Sequence, residues 1–325
     1  MKKERKTKKG LTIALVAVAV LILAVAVFLF NVRPGPGADD MLFKVGIYNP
    51  LSLFSFTGNT YLEILVGNDK VFNAPTMYHV SFEPCARTDW HTHEGGQILI
   101  VTYGTGYHQI EGEEVKIIRP GDIAMAKPGV KHWHGAGKDS WFSHIAISTN
   151  PDKSGVKWLE AVSDEVYNNL NAVESNEGVD KGLPAVALAD MGDGAIFPLG
   201  QPNPFSDYFT GNTYLAPLIS LDDVFNCPPM SNVIFEPCAR TDWHSHNGGQ
   251  ILIAIGGVGY HQIEGRQLDI LHSGDVVKVE PGIKHWHGAS PDSWFSHIAI
   301  STNPGNGAVN WMEPVEDNAY FANVQ

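Results

Sequence analysis

The sequence predicts an all-β protein: two tandem barrels behind a single N-terminal membrane-spanning helix. Three observations predict it. One pattern is written twice along the 325 residues, each copy is a series of short apolar strands cut by glycine turns, and a long uncharged run lies near the start.

The run comes first. Lys2, Lys3, Arg5, Lys6, Lys8 and Lys9 make residues 1–10 a basic head. Leu11 to Phe30 then carries no charge and one polar residue, Thr12. A bilayer core needs roughly 20 apolar helical residues, so 11–30 is long enough to span. It ends in Phe28-Leu29-Phe30, without the small residues of a cleavage site, and this favours a retained anchor over a cleaved signal that would release a secreted protein. By the positive-inside rule the head is cytoplasmic and the remainder extracytoplasmic. Residues 31–42, with Pro34-Gly35-Pro36-Gly37, read as a linker.

Charge separates the same parts. Residues 1–33 hold seven Lys/Arg and one acid, whereas the rest holds fifteen bases against thirty-four acids, a net of −19. So acidic a surface repels phosphate backbones, which excludes nucleic acid as a partner. The three cysteines give no disulfide framework, because Cys85 and Cys238 occupy matching places in separate repeats. Cys85 reads as a small buried hydrophobe.

The repeat is plain. Gly58-Asn59-Thr60-Tyr61-Leu62 returns as Gly211-Asn212-Thr213-Tyr214-Leu215, and the offset of 153 holds through FEPCARTDWH, GYHQIEG and DSWFSHIAISTNP. Unit 1 spans 43–167 and unit 2 spans 197–325, with 168–196 as the connection. Within unit 1, 77–82, 97–102, 107–110, 115–118, 123–126 and 142–148 are rich in β-branched and aromatic residues, and glycines separate them. Strands of this length and spacing predict a sandwich or barrel. Residues 155–169, with Trp158, Leu159 and Val162, predict a short closing helix.

Each unit then carries a cluster of metal-binding side-chain types. Unit 1 has His91-Thr92-His93-Glu94-Gly95-Gly96-Gln97 and, later, Pro128-Gly129-Val130-Lys131-His132-Trp133-His134. Unit 2 has His244-Ser245-His246-Asn247-Gly248-Gly249-Gln250 and Pro281-Gly282-Ile283-Lys284-His285-Trp286-His287. On a strand, i and i+2 share a face, so His91 and His93 can both look inward. Gln97 re-enters on the next strand, and a Pro-Gly turn can set His132 opposite the pair. Imidazole and amide oxygen suit Mn, Fe, Ni, Cu or Zn. Four such ligands on an octahedral ion leave two positions for substrate.

The H-x-H-(x)3-Q and G-(x)5-P-G-(x)2-H patterns resemble the two signature motifs of the cupin superfamily, which implies double-stranded β-helix (jelly-roll) barrels. The fuller strings, FEP-x-ARTDWH-x-H-x-GGQIL and KHWHGA, resemble small bacterial cupins that include manganese-dependent hydroxynitrile lyases. Carried over by position, the resemblance implies ligands His91, His93, Gln97 and His132, and in unit 2 His244, His246, Gln250 and His285. One divalent ion per barrel is expected, manganese first, with iron, nickel or zinc as alternatives. The resemblance gives His134, His144, His287 and His297 pocket roles, here read as catalytic. The lyase-like relatives carry glutamine where Ser148 and Ser301 stand, and usually glycine where Cys85 and Cys238 stand.

Other residues read more plainly. His108 and His261 are structural, and the unrepeated His79 and His272 lie at the surface. Trp90, Trp133 and Trp141 pack the core or wall the pocket.

Three functions remain open. The first is a Lewis-acid lyase acting on a small hydroxylated substrate, since a neutral glutamine leaves the full +2 charge on the site. A histidine with its ordinary pKa near 6.5 then suits proton transfer. The second is an Fe or Mn dioxygenase, and the third a non-catalytic, metal-dependent ligand-binding ectodomain. The partners expected are a small-molecule substrate, the membrane through the N-terminal helix, and another copy of the chain through the barrels.

Overall fold

The computed structural model describes residues 41–153, 155–174 and 183–322. The expected head, most of the linker and the spanning helix at 11–30 lie outside the described residues. Among the described residues, no helix is long and apolar enough to cross a membrane.

Each unit is a pair of facing sheets. In unit 1 a six-stranded sheet runs Ile47–Tyr48, Thr60–Val66, Met77–Phe82, Phe142–Ser148, Gln97–Gly104 and Ile123–Ala126. The facing sheet runs Val156–Trp158, His91–His93, His132–Ala136, Gly106–Ile110, Val115–Ile118 and Ala172–Glu174, with Phe56–Thr57 and Arg87–Thr88 off this path. Neighbours are rarely consecutive in sequence, as a jelly roll requires. Unit 2 repeats the six-stranded sheet as Gln201–Pro202, Thr213–Ile219, Met230–Phe235, Phe295–Ser301, Gln250–Gly257 and Val276–Val279.

The six-stranded sheets are buried on both faces, which explains their near-continuous apolar runs. Along Gln97–Gly104, Ile98 and Ile100 point away from the barrel while Leu99 and Val101 fill it. Ile98, Ile100, Ile145 and Ile147 of unit 1 share one core with Ile251, Ile253, Ile298 and Ile300 of unit 2. The two barrels therefore pack sheet to sheet within the chain.

Residues 155–169 depart from the expected helix. Val156–Trp158 is a strand paired with His91–His93, and only Asp164–Asn168 is helical, capped by Ser163. Three apolar residues set no helical face strongly enough to outweigh an open sheet edge. Arg87 fastens this tail: its guanidinium donates to Val162 O (3.0 and 2.8 Å) and Asp164 (2.6 Å) and lies 4.4 Å over the Tyr167 ring. Arg240, Val315, Asp317 and Tyr320 repeat the clasp.

Two further expectations are corrected. His79 is fully buried rather than at the surface, because its strand faces the other barrel, and it packs 4.7 Å from the Phe43 ring. Cys85 is exposed rather than buried; it holds a turn at φ 69, and its thiol donates to Lys138 O. His272 is exposed as expected, and all three cysteines are free. The 168–196 connection is partly structured. Ala172–Glu174 joins unit 1 in parallel, and the Ala185–Met191 helix packs Ala187 and Met191 on Ile234 and Trp294 of unit 2.

Candidate metal centre

The histidines come together as the alternation demands. His91 and His93 sit on one short strand, His132 pairs directly with His91, and their rings lie 4.2 to 5.7 Å apart. One ligand atom from each of His91, His93 and His132 falls within 4.8 Å of the others.

Backbone carbonyls fix the tautomers. A carbonyl only accepts, so His91 donates from Nδ1 to Asp89 O and His132 from Nδ1 to Val130 O, both at 2.9 Å. Each ring then turns an unprotonated Nε2 inward. Pinning the far nitrogen of a ligand imidazole in this way is a common support for metal binding. Gln97 Oε1 lies 2.9 Å from His132 Nε2. Burial lowers the His132 pKa to about 4, so the neutral ring has no proton left for that contact. Both atoms are of the donor type that a divalent ion held by His91, His93, Gln97 and His132 would take.

Unit 2 reproduces this with His244 bonded to Asp242 O, His285 bonded to Ile283 O, and Gln250 Oε1 2.9 Å from His285 Nε2. Here the three imidazoles with ligand atoms within 4.8 Å of one another are His244, His285 and His287, and the expected His246 is not in that group. The ring positions nevertheless match unit 1: His246 lies 5.1 Å from His244 and 5.7 Å from His285, as His93 does from His91 and His132. His246 Nε2 is buried with no partner, as suits a donor awaiting an ion. The donor sets of both units thus fit a divalent metal.

His134 and His144 form a second layer. His144 Nε2 lies 3.2 Å from His134 Nδ1, and His297 repeats the contact with His287 at 3.2 Å. Burial pushes the His144 and His297 pKa values down to about 3 and those of His134 and His287 well below the ordinary value. These imidazoles are therefore neutral across the physiological range, not poised near 6.5. His108 and His261 are buried beside the third ligand; Asp269 bonds His261, whereas Lys116 takes that place beside His108.

The unit 1 centre opens on a cavity of about 290 Å³, walled by Phe56, Leu62, Tyr78, Val80, Ala146 and Trp158, with Ser148 also lining it. The unit 2 cavity is about 230 Å³, with Phe209, Ser231, Ser301 and Trp311 in its wall. Trp158 and Trp311 each lie 4.9 Å from the first ligand histidine. The helix expected over 155–169 would not have placed Trp158 in the wall; the alternation of Val156-Lys157-Trp158 is the local signal for it. Trp133 is core, as expected, and its indole donates to Gln109.

Fold and site together define a two-barrel protein with a histidine-rich metal centre in each barrel. The Cupin domain family model matches residues 78–143. The (R)-mandelonitrile lyase of Granulicella tundricola is 44% identical over 118 residues, 35% of this chain and 87% of that enzyme. A cupin-like protein of Thermotoga maritima is 41% identical, covering 39% of this chain and 95% of its own, at a TM-score of 0.37. A salicylate 1,2-dioxygenase of Pseudaminobacter salicylatoxidans aligns over 77% of this chain and 80% of its own, at 13% identity and a TM-score of 0.52, and shares the fold alone. The chain belongs to the cupin family, as a duplicated cupin.

Proposed function

We propose that the protein is a manganese-dependent lyase that splits a small hydroxynitrile into an aldehyde and hydrogen cyanide. The observation that carries this reading is the neutral donor set, His91, His93, Gln97 and His132, beside the His134–His144 pair at 3.2 Å. The 44% identity to a mandelonitrile lyase across most of that enzyme's length supports it. In unit 2 the proposed ligands are His244, His246, Gln250 and His285, with His287 and His297 as the pair.

A bound divalent ion would supply a Lewis acid that polarises the substrate oxygen. The chain's own residues do the rest. Trp158, Phe56 and Leu62 hold the substrate's apolar body against the cavity wall and keep water out. The His134–His144 pair, neutral and joined at 3.2 Å, is placed to take the hydroxyl proton; burial disfavours the imidazolium, so the pair holds that proton only until cyanide leaves. As the carbonyl forms, the bond to the nitrile carbon breaks and cyanide leaves with the bonding pair. The imidazole pair returns the proton to it.

The proposal includes placement. The basic head and the 11–30 run would anchor the protein in the membrane with both barrels outside the cytoplasm. The barrels already pair within the chain, so any further copy would have to dock on another face.

The test is benzaldehyde release from mandelonitrile by the purified, Mn²⁺-loaded protein, with the His91→Ala/His244→Ala variant as control. Release well above that control supports the lyase. Equal rates refute it, and oxygen uptake then tests the dioxygenase reading.

A further inference from the structure

Each ligand-bearing turn is gripped by the opposite barrel. In unit 1, Gly95 and Gly96 join His93 to Gln97, and Gly96 N–H donates to His93 O (3.2 Å). Gly95 O accepts from Thr149 Oγ1 (2.8 Å) and from Asn150 Nδ2 (2.6 Å). The same Asn150 amide donates to Val224 O of unit 2 (2.9 Å), while Asn150 N–H donates to Phe225 O (2.9 Å). A Cβ on Gly96 would stand 3.2 Å from the Phe225 ring, so that ring rests against the turn.

Unit 2 mirrors it. Gly248 O accepts from Thr302 Oγ1 (2.8 Å) and Asn303 Nδ2 (2.9 Å), and Asn303 Nδ2 also donates to Val71 O of unit 1 (2.8 Å). A Cβ on Gly249 would stand 3.2 Å from the Phe72 ring. Asn150 and Asn303 adopt φ 51 and 44, a left-handed conformation that asparagine tolerates better than most residues. Phe72 and Phe225 are 3% and 6% exposed, so neither ring is a loose surface contact.

We propose that the metal centres are positioned in trans. The loop carrying Val224 and Phe225 sets the spacing of His93 and Gln97, and the loop carrying Val71 and Phe72 sets that of His246 and Gln250. Asn150 and Asn303 are the positioning residues that tie each turn to the foreign loop. This rests on the ligand assignment above and adds that neither barrel holds its metal geometry alone.

The experiment uses the full chain with one site disabled at a time. In a His244→Ala/His285→Ala background only unit 1 binds, and Co²⁺ is titrated against a competing chelator while its visible absorption is recorded. Phe225→Ala should weaken unit 1 by about tenfold or more, the scale of losing a residue that orients a ligand, and alter the cobalt spectrum. Phe72→Ala should do neither. In the His91→Ala/His132→Ala background the two variants should exchange roles, and in the His244→Ala/His285→Ala background Phe225→Leu should keep most of the unit 1 affinity that Phe225→Ala loses. Equal losses from Phe72→Ala and Phe225→Ala in one background would mean a generally loosened interface and overturn the proposal, as would no loss from either. If the unsubstituted chain binds no cobalt, the ligand assignment itself has failed.

Discussion

His144 Nε2 lies 3.2 Å from His134 Nδ1, and neither ring has a carboxylate partner among the described contacts. Two neutral imidazoles share one proton across this contact, one donating and one accepting. Replacing His144 and His297 together by glutamine should lower turnover by about 10² to 10⁴, the usual range for losing a proton-transfer group. The metal content should not change. Rate measurement beside elemental analysis checks this; joint loss of metal and activity would make the pair structural.

Acid should unfold the metal-free protein early. Burial lowers His79, His93, His108 and His144 to about 3 and His132 to about 4, against about 6.5 in an unfolded chain. Between those values the unfolded state binds more protons, so stability is full above about 6.5 and falls as the pH falls toward 3. Each such histidine costs about 1.4 kcal/mol per pH unit in that window. Circular dichroism of chelated protein should therefore show unfolding setting in below pH 6, with added metal moving the midpoint lower. A midpoint that is low and the same with or without metal would contradict this.

The Arg87 clasp should be worth more than its ion pair. Asp164 is mostly exposed, so Asp164→Asn should change stability little. Arg87→Ala removes the donors to Val162 O and the packing on Tyr167, and should cost about 2–3 kcal/mol. Denaturant titration separates the two variants.

Trp158 lines the unit 1 cavity beside His91, so on the lyase proposal it meets the substrate's apolar body rather than its reacting atoms. In a His244→Ala background, Trp158→Ala should raise KM while kcat changes little, since it removes binding common to ground and transition states. A fall in kcat alone would instead indicate that His91, 4.9 Å from the indole, has lost its support.

The repeat, the strand positions and the inward histidines were legible because period-two alternation and glycine turns are local signals. Strands 77–82, 115–118, 123–126 and 142–148 appear at their expected limits. Trp158 departs from the expected helix because the alternation Val156-Lys157-Trp158 is too short to be decisive alone, and the strand gains its stability from pairing with His91–His93. His79 and the crossing loops at Phe72 and Phe225 were hidden for a related reason. Their burial comes from packing one repeat on the other, and a tandem sequence does not say which faces meet.

The claim of one metal site per barrel is tested most directly by metal content after manganese loading and gel filtration. The account predicts two ions per chain, one in His91→Ala/His132→Ala, one in His244→Ala/His285→Ala, and none when all four are replaced. A single ion in the unsubstituted chain, or two that survive removal of either trio's histidines, would contradict it.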